Sequence, residues 1–347
     1  MPQTDTIVTD TLYSWALSAC PPTYLLCEVV CDLYAVQGSL CFYSISWTLY
    51  SIVFVQEIKL DYNFNSIDKD MKKIEESKIV IEPTRGWFNL NFKEIWAYRE
   101  LLFFLVWRDI KVRYKQTVLG AAWAILRPLF TMIIFSVIFG SFAKLPSEGI
   151  PYPVFTYTAL LPWQLFSSAL TNSSQSLVNS RNLITKIYFP RLIIPISSAI
   201  AGLVDFAVAF VILIIMIIAY GIPLSWRIAA LPLFILLALL TAISVGLWFS
   251  ALNVQYRDVR YTIPFLNTFW MYATPIAYSA TLIPEKWRAL YGLNPMTGVV
   301  EGFRWMLLGK SAMQWQYYAI PTGIVILLLI GGLIYFRRME DSFADVI

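Results

Sequence analysis

The chain has 347 residues, of which 58% are hydrophobic and 14% charged, and its mean hydropathy is +0.63. Soluble domains carry about 25% charged residues, so a water-soluble core cannot hide this much apolar surface and the bilayer must act as part of the solvent. The sequence contains no histidine, which excludes His-based acid–base catalysis, His-activated nucleophiles and His-ligated metals. We therefore expect an all-α integral membrane protein that has neither a catalytic site nor a metal site.

The first 70 residues differ from the rest in charge. They hold two Lys and eight Asp or Glu, a net charge of −6 that leaves +10 for residues 71–347. All four cysteines lie within the first 41 residues, and they lack the second ligand pair that a zinc site needs. Met71 is the first methionine after Met1, and a basic stretch follows it. The pattern predicts an atypical extension over 1–70, either a misassigned start or an added hydrophobic hairpin.

Residues 71–118 predict a cytoplasmic amphipathic segment with a helix in the membrane interface. Aromatic and charged residues mix over 87–100, and an apolar run over 101–107 precedes a basic cluster. Aromatic residues together with Lys and Arg are the composition of an interfacial helix, and a soluble amphipathic helix is the alternative. The basic cluster consists of Arg108, Lys111, Arg113 and Lys115.

Residues 119–347 predict a transmembrane domain of six helices. Each apolar stretch is close to the ~20 residues that a helix needs to cross the bilayer core. Eighteen of the 24 Lys and Arg residues after residue 70 lie on flanks that are inside if the amino terminus is inside, which predicts that both termini are cytoplasmic. The spans are predicted at 119–142, 154–177, 192–220, 228–254, 261–283 and 317–338.

The segment 284–312 is too polar for a span. We predict two short helices broken at Asn294–Pro295, because a residue before proline is pushed out of helical geometry. Such helices can re-enter the outer leaflet only where protein covers their backbone, and an exposed external loop is the alternative.

Asp205 is the one acidic residue inside a predicted span. A charge at mid-bilayer costs about 2.5–3.5 kcal/mol on insertion scales, so Asp205 should face protein or a water-filled path, or be protonated. Arg127 lies nearer the cytoplasmic end of the first span and can extend its side chain to the interface.

Five stretches in order resemble ABC-2-type permeases that export polysaccharides and polyol phosphates. The resemblance covers about residues 87–347, and residues 1–70 have no counterpart. The stretches are Tyr98–Gly120, Asn182–Arg191, Ala251–Arg260, Leu293–Gly298 with Glu301–Arg304, and Glu340–Ile347.

The resemblance implies the permease subunit of an exporter for lipid-linked polysaccharide of O-antigen, capsule or teichoic-acid type in the bacterial inner membrane. It also implies a homodimer that works with two copies of a separate ATPase, so ATP and Mg are expected on that partner and no cofactor on this chain. The sequence agrees, because Gly309-Lys310-Ser311 imitates the end of a P-loop but Arg304 occupies the position of its upstream glycine. Nucleic acid is not an expected partner.

The resemblance further implies that the loop between spans two and three is a coupling helix that docks on the ATPase. We predict a short amphipathic helix over Arg181–Phe189, and a basic loop without a partner is the alternative. The predicted docking residues are Asn182, Leu183, Ile184, Lys186, Ile187, Tyr188, Phe189 and Arg191, with Arg257 and Asp258 as a second contact.

Three further sets are candidates for the substrate path. The basic cluster over 108–115 can attract a carrier pyrophosphate at about 1 kcal/mol per residue, although topological retention explains it equally well. Aromatic rings suit a channel for sugars, and we expect two or three of seven to line it, with belt or packing roles as the alternative. The extracellular gate is predicted at Asn294, Pro295, Glu301 and Arg304. The seven aromatic candidates are Tyr157, Trp163, Trp248, Phe249, Trp270, Tyr272 and Tyr278.

Other functions fit less well. A secondary transporter is expected to show inverted repeats and ion-coupling groups, and only Asp205 would serve as such a group. A membrane transferase needs clustered carboxylates or a metal motif. An ABC-2-type drug or antibiotic exporter permease is the closest alternative, and the aromatic content and the sugar-exporter motifs argue against it.

Overall fold

The computed structural model describes residues 92–115, 118–284, 287, 291–309, 316–340 and 342–343. Every regular element in these ranges is a helix, and none of the described residues forms a strand. The predicted all-α class is therefore confirmed. The predicted extension over 1–70 lies outside the described residues, as does 71–91.

Short signals in the sequence set several helix ends. Proline stands in the first turn of α4, α8 and α10, where its missing N–H costs no hydrogen bond. Gly309 ends α10 in the left-handed conformation, with φ of 71°. The helix α3 continues as a π-helix over Ser136–Phe142, and 3-10 turns cover Trp226–Ala230 and Ala280–Leu282. In chain order the helices are α1 (Phe92–Ala97), α2 (Arg99–Lys115), α3 (Val118–Phe135), α4 (Tyr152–Asn179), α5 (Arg181–Ile184), α6 (Ile193–Ile200), α7 (Gly202–Ala219), α8 (Leu231–Gln255), α9 (Val259–Ala273), α10 (Pro295–Leu308) and α11 (Gln316–Glu340).

Four helical stretches within the described residues are long and apolar enough to cross a membrane. They correspond to the predicted spans one, three, four and six, and α6 with α7 forms one of them. The predicted count of six spans is not confirmed, because spans two and five lack this combination of length and apolarity. The four stretches are Ala122–Phe142, Ile193–Ala219, Trp226–Gln255 and Tyr318–Glu340.

The second predicted span is a helix, α4, but it lies in the centre of the protein. Of its 28 residues, 18 are buried, and α3, α6, α7, α8 and α10 pack around it. Several of its hydroxyl groups donate to carbonyls of the preceding turn, as Thr158 does to Val154 at 2.8 Å and Ser176 to Ser173 at 2.7 Å. Because these donors are satisfied within the helix and small side chains allow close packing, α4 can be polar and still central.

The fifth predicted span, 261–283, is shorter than expected. Its helix α9 ends at Ala273 after 15 residues. Thr274 is extended, with φ of −101° and ψ of 140°, because Pro275 follows it and disfavours helical geometry in the preceding residue. The chain then runs irregularly to the 3-10 turn that begins at Ala280.

The apolar side chains form two clusters. The larger one lies between α3, α4, α7, α8 and α10. The smaller one joins Leu105 of α2 to the end of α4, the segment 184–194, α8 and the end of α11, where Phe336 and Phe343 meet edge to face at 5.2 Å. The smaller cluster thus binds the loop after α4 to the carboxy-terminal helix.

The segment α1–α2 has two unlike faces. Leu105 is buried in the smaller cluster, and α2 packs along α6. The opposite face presents Trp96, Phe103, Phe104 and Trp107, each more than half exposed. The helix is therefore held by the protein on one side and leaves an aromatic side uncovered by the described residues.

Candidate functional site

A polar cavity lies between α3, α4, α7 and α9. Two overlapping spaces of about 370 and 650 Å³ share part of their walls, and we call them together the chamber. The shared wall combines charged, hydroxyl and aromatic side chains contributed by five helices. The shared residues are Arg113, Arg127, Trp163, Ser167, Ser168, Asp205 and Met271.

Asp205 is held by the last turn of α2. Its carboxylate accepts hydrogen bonds from the guanidinium of Arg113 and the hydroxyl of Tyr114. One turn earlier, the hydroxyl of Ser198 donates to Asp109 at 3.2 Å and fixes α2 on α6. Desolvation and the bond to Asp205 raise the pKa of Tyr114, so this side chain stays a neutral donor. The ion pair offsets the cost of placing Asp205 in an apolar helix.

The four basic residues of α2 occupy different surroundings. Arg108 pairs with its neighbour Asp109 at 2.8 Å, and Arg113 pairs with Asp205 in the chamber. Lys111 and Lys115 are exposed. Only Arg113 of the four lines the chamber, so the predicted cluster does not converge on one point.

Hydroxyl and amide groups form the wall of the larger space between α4 and α9. Thr171, Asn172, Asn267 and Thr268 all line it. Asn267 is 8% exposed, and its amide nitrogen donates to the Thr171 hydroxyl at 3.0 Å. Its amide oxygen has no hydrogen-bond partner among the described residues. Such orphaned buried atoms are uncommon in folded proteins.

Arg127 brings a second guanidinium to the chamber. It lies in α3 one residue before Pro128, is exposed, and lines both spaces. Among the described residues, no ion pair to its guanidinium is found. With Arg113 and Asp205 opposed, Arg127 leaves the described chamber with one net positive charge.

The predicted coupling helix is shorter than expected. Only Arg181–Ile184 is helical, and turns follow from Thr185. Ile184 and Phe189 are buried in the smaller cluster, at 6% and 4% exposed. A partner would therefore meet the remaining side chains of the loop. Among the predicted docking residues of this loop, the exposed side chains are Asn182, Lys186, Ile187 (58%) and Tyr188 (65%), with Leu183 half-buried.

Arg191 ties this loop to the end of α11. Its backbone N–H donates to the Glu340 carboxylate at 3.0 Å, and its guanidinium donates to the Glu340 carbonyl. Arg337 donates to the other carboxylate oxygen of Glu340 at 2.8 Å. Arg257 and Asp258, at the end of α8, are exposed. Arg191 thus connects two parts of the fold, whereas Arg257 and Asp258 remain on the surface.

Asn294, predicted at the gate, joins α9 to α10. Its oxygen accepts from the indole N–H of Trp270 at 2.8 Å and from the backbone N–H of Met296 at 3.0 Å. Its nitrogen donates to the Ala273 carbonyl and the Thr274 hydroxyl, at 3.2 and 3.0 Å. Asn294 caps α10, and the helix break that we predicted before Pro295 is present.

The helix α10 is covered by protein. All but one of its 14 residues are buried, which contradicts the alternative of an exposed loop. Arg304 pairs with Glu301 at 2.9 Å and donates to the carbonyls of Tyr278 and Ile276 at 3.2 and 2.9 Å. Its guanidinium also lies 3.8 Å from the centroid of the Phe155 ring. Arg304 therefore holds the irregular chain that follows α9.

Four of the seven channel candidates pack within the protein. Tyr157 is fully buried and donates to the Ala209 carbonyl at 3.3 Å. Trp248 stacks on Tyr335 at 4.9 Å. Trp270 contacts Phe166 edge to face at 5.0 Å, and the half-buried Phe249 packs against the larger cluster.

The other three candidates differ in exposure: Trp163 is buried at 4% exposed, Tyr278 is half-buried and Tyr272 is exposed. Trp163 lines the chamber, and the hydroxyl of Tyr278 pairs with that of Tyr291. Tyr272 is exposed and belongs to an aromatic stripe on α9 whose members are three or four residues apart and so share one face. The stripe, which the sequence reasoning missed although its spacing was visible, consists of Tyr261, Phe265, Phe269 and Tyr272, each at least 61% exposed.

Comparison with known families gives a match over most of this architecture. Residues 100–308 match the model of the ABC-2 type transporter family, from the interior of α2 to the end of α10. The chain belongs to the ABC-2 type transporter family. As a member with four apolar spanning stretches among its described residues, this ABC-2 permease is a multi-pass membrane protein.

The match extends over nearly the whole length of three curated relatives. An O-antigen export system permease protein RfbA of Klebsiella pneumoniae is 30% identical over 250 residues, 72% of this chain and 95% of the relative. RfbA of Myxococcus xanthus is 28% identical over 258 residues, 74% and 98% of the two chains. The polysialic acid transport protein KpsM of Escherichia coli is 26% identical over 248 residues, 68% and 92%. The predicted resemblance to polysaccharide-exporting permeases is confirmed.

The chamber of this ABC-2 permease was only partly visible in its sequence. Asp205 and Arg113 were singled out separately, and their pairing depends on how α2 packs on α6 and α7. Asn267 and Thr171 were missed, although an amide inside a predicted span is itself a signal, since polar groups in membranes are costly and need partners. In the run 172–176, Asn172 lines the chamber, and three serines (Ser173, Ser174, Ser176) are buried in helix packing.

Proposed function

We propose that this chain is the membrane-spanning permease subunit of an ATP-binding-cassette exporter that moves lipid-linked polysaccharide across the bacterial inner membrane. The observation that carries the proposal is the match to O-antigen export permeases over 95–98% of their length. The match to a polysialic acid transport protein supports the same substrate class. The O-antigen, capsule and teichoic-acid types all belong to this class.

The permease itself is non-catalytic in this proposal. Two copies form the membrane part, and two ATPase subunits bind ATP and Mg. In the described ranges there is no group of three His, Cys, Asp or Glu residues that could hold a metal ion. The exposed side chains of Lys186, Ile187 and Tyr188 support docking of an ATPase, since interfaces concentrate their binding energy in a few apolar, aromatic and basic residues.

Both termini are proposed to be cytoplasmic, which the excess of basic residues on the corresponding flanks supports. The uncovered aromatic face of α1–α2 supports a position in the membrane interface, where Trp and Phe sit at headgroup level. The aromatic stripe of α9 supports a path between the two copies, because flat rings stack on sugar faces and need no particular sequence of sugars.

ATP-driven closure of the partner subunits would displace the coupling loop after α4. Arg191 and Glu340 join this loop to α11, and α11 packs against α10. A displacement of the loop would therefore be carried to α10 through packed helices, which move as rigid bodies more readily than they deform. Glu340→Ala removes the carboxylate that accepts from the Arg191 N–H and from Arg337. It should uncouple the two activities: ATP hydrolysis by the assembled complex continues while export falls several-fold.

The proposal is tested by deletion and complementation in the native host. Loss of the permease should remove one surface polysaccharide, seen on gels of extracted glycans, and the intact gene should restore it. The permease purified in mild detergent should carry a stoichiometric ATP-binding subunit. Unchanged surface polysaccharide in the deletion strain, or no ATPase even after crosslinking at Lys186, would overturn the proposal.

A further inference from the structure

We propose that the chamber binds a glycosyl phosphate, with the phosphate on Arg127 and the sugar hydroxyls on the amide and hydroxyl wall around Asn267. This inference rests on the proposed function, since it assigns a place to the phosphorylated end of the exported chain. It does not involve the exposed basic residues of α2 or the aromatic stripe of α9.

The first observation is the unused half of the Asn267 amide. Thr171 occupies its nitrogen, and its oxygen is buried without a partner among the described residues. Whichever way the amide is turned, one of its two polar atoms stays without a hydrogen-bond partner among the described residues. A buried polar atom without a partner costs free energy, so the site gains when a hydroxyl or a water arrives there.

The second observation is the charge of the chamber. The charged side chains that line it are Arg113, Arg127 and Asp205. Asp205 already neutralises Arg113, which leaves the positive charge of Arg127 for a ligand. A guanidinium presents two parallel N–H groups that match two phosphate oxygens, so an anion with this geometry is favoured over a neutral or cationic headgroup.

The third observation is the size and lining of the larger space. About 650 Å³ lies within the ~300–1,000 Å³ of small-molecule sites, which suits the phosphorylated head of a chain. Hydroxyl and amide groups of α4 and α9 line it together, Thr171 and Asn172 from α4 and Asn267 and Thr268 from α9. Such paired donors and acceptors suit the hydroxyls of a sugar, and Trp163 supplies an aromatic surface.

The test measures binding of glucose 1-phosphate to the purified permease in zwitterionic nanodiscs by titration calorimetry. Inorganic phosphate, glucose and nanodiscs containing phosphatidylglycerol are the comparison arms. Glucose 1-phosphate should bind more tightly than either free phosphate or glucose. Equal affinity for inorganic phosphate would overturn the sugar part of the proposal, and full competition by phosphatidylglycerol would assign the chamber to a phospholipid instead.

Three variants localise the binding. Arg127→Gln should weaken binding of glucose 1-phosphate by about tenfold or more, as loss of a charge-assisted contact does, and Arg127→Lys should restore part of it. Asn267→Leu should weaken the binding of glucose 1-phosphate and leave the binding of inorganic phosphate unchanged. The matched control Arg260→Gln, an exposed arginine of α9 outside the chamber, should bind like the parent.

A second readout does not depend on the stability of these variants. In a chain whose four native cysteines are replaced by serine, Thr268→Cys should react with a small maleimide, and glucose 1-phosphate should slow the reaction. Equal rates with and without the ligand would sink the proposal. If an ATPase co-purifies and the deletion strain loses its polysaccharide, the proposed function stands even when glucose 1-phosphate does not bind.

Discussion

Two asparagines near α9 are used in opposite ways. Asn294, at the start of α10, makes four hydrogen bonds, of which one caps α10 and three join it to the end of α9. Asn267, inside α9, makes one, and its buried oxygen has no hydrogen-bond partner among the described residues. Both are polar groups in an apolar chain, where an unmet hydrogen bond is expensive. The comparison separates polar side chains whose hydrogen bonds are made within the protein from those with a polar atom that a ligand could pair with.

Among the polar side chains that are bonded within the fold, Arg304→Met should cause the largest loss of stability. Removing one partner of a buried ion pair leaves the other charge uncompensated, and we expect a loss of about 3–5 kcal/mol in the free energy of unfolding. Thermal unfolding of the purified protein, followed by tryptophan fluorescence, measures it. Replacing both Arg304 and Glu301 by methionine should recover part of the loss, and unchanged stability of the single variant would contradict the assignment.

Asn294→Ala should come next in size. Its four hydrogen-bond partners lose a contact in the interior, and we expect about 2–3 kcal/mol of destabilisation. The same unfolding measurement applies. Asn294→Asp keeps both acceptor bonds and should fall between the parent and the alanine variant; an aspartate variant no more stable than the alanine variant would show that the donor bonds carry the whole effect.

The same division exists in the coupling loop, where Ile184 is buried and Ile187 is exposed. Ile184→Asp places a charge in the smaller cluster and should abolish the folded protein, since an unpaired buried charge is not tolerated. Ile187→Asp should fold normally and reduce the ATPase that co-purifies by about tenfold. Ile187→Val is the control, and full recovery of ATPase with Ile187→Asp would remove this residue from the docking surface.

The smallest change in stability is expected for Asn267→Leu. Only the bond to Thr171 is lost and an orphaned oxygen disappears with it, so the free energy of unfolding should shift by less than about 1 kcal/mol. Export of the surface polysaccharide should nevertheless fall, as measured on extracted glycans in a complemented deletion strain. A loss of stability as large as that of Asn294→Ala would show that both asparagines stabilise the fold and that neither is kept for a ligand.

The helices were largely predictable because bilayer thickness and apolar composition act over whole segments. Spans one, three, four and six follow from their length and apolarity alone. The end of span five was missed because a single proline, Pro275, ends the helix within an otherwise apolar run. The helical extent of the coupling loop was also overestimated, because turns begin at Thr185 and burial of Phe189 depends on the carboxy-terminal helix.

The site was less predictable than the fold. Ile184 is buried and Ile187 is exposed because of the residues of α8 and α11 that pack against the loop. The hydrophobic periodicity of a few residues does not predict such packing partners. The predicted gate residues Asn294 and Arg304 are polar, as expected, but their hydrogen bonds go to the end of α9 and to the chain that follows it. Whether they also move during export stays a prediction.

The sequence by itself determined the membrane class, the helical fold, most of the spans and the family, because composition and ordered motifs are properties of the chain. Tertiary structure decided the pairing of Asp205 with Arg113, the unpartnered oxygen of Asn267 and the packing of most aromatic candidates against other side chains. These depend on the rotation and neighbours of each helix. Two helices of equal hydrophobicity can turn any face toward one another, and only packing selects which polar atoms are satisfied.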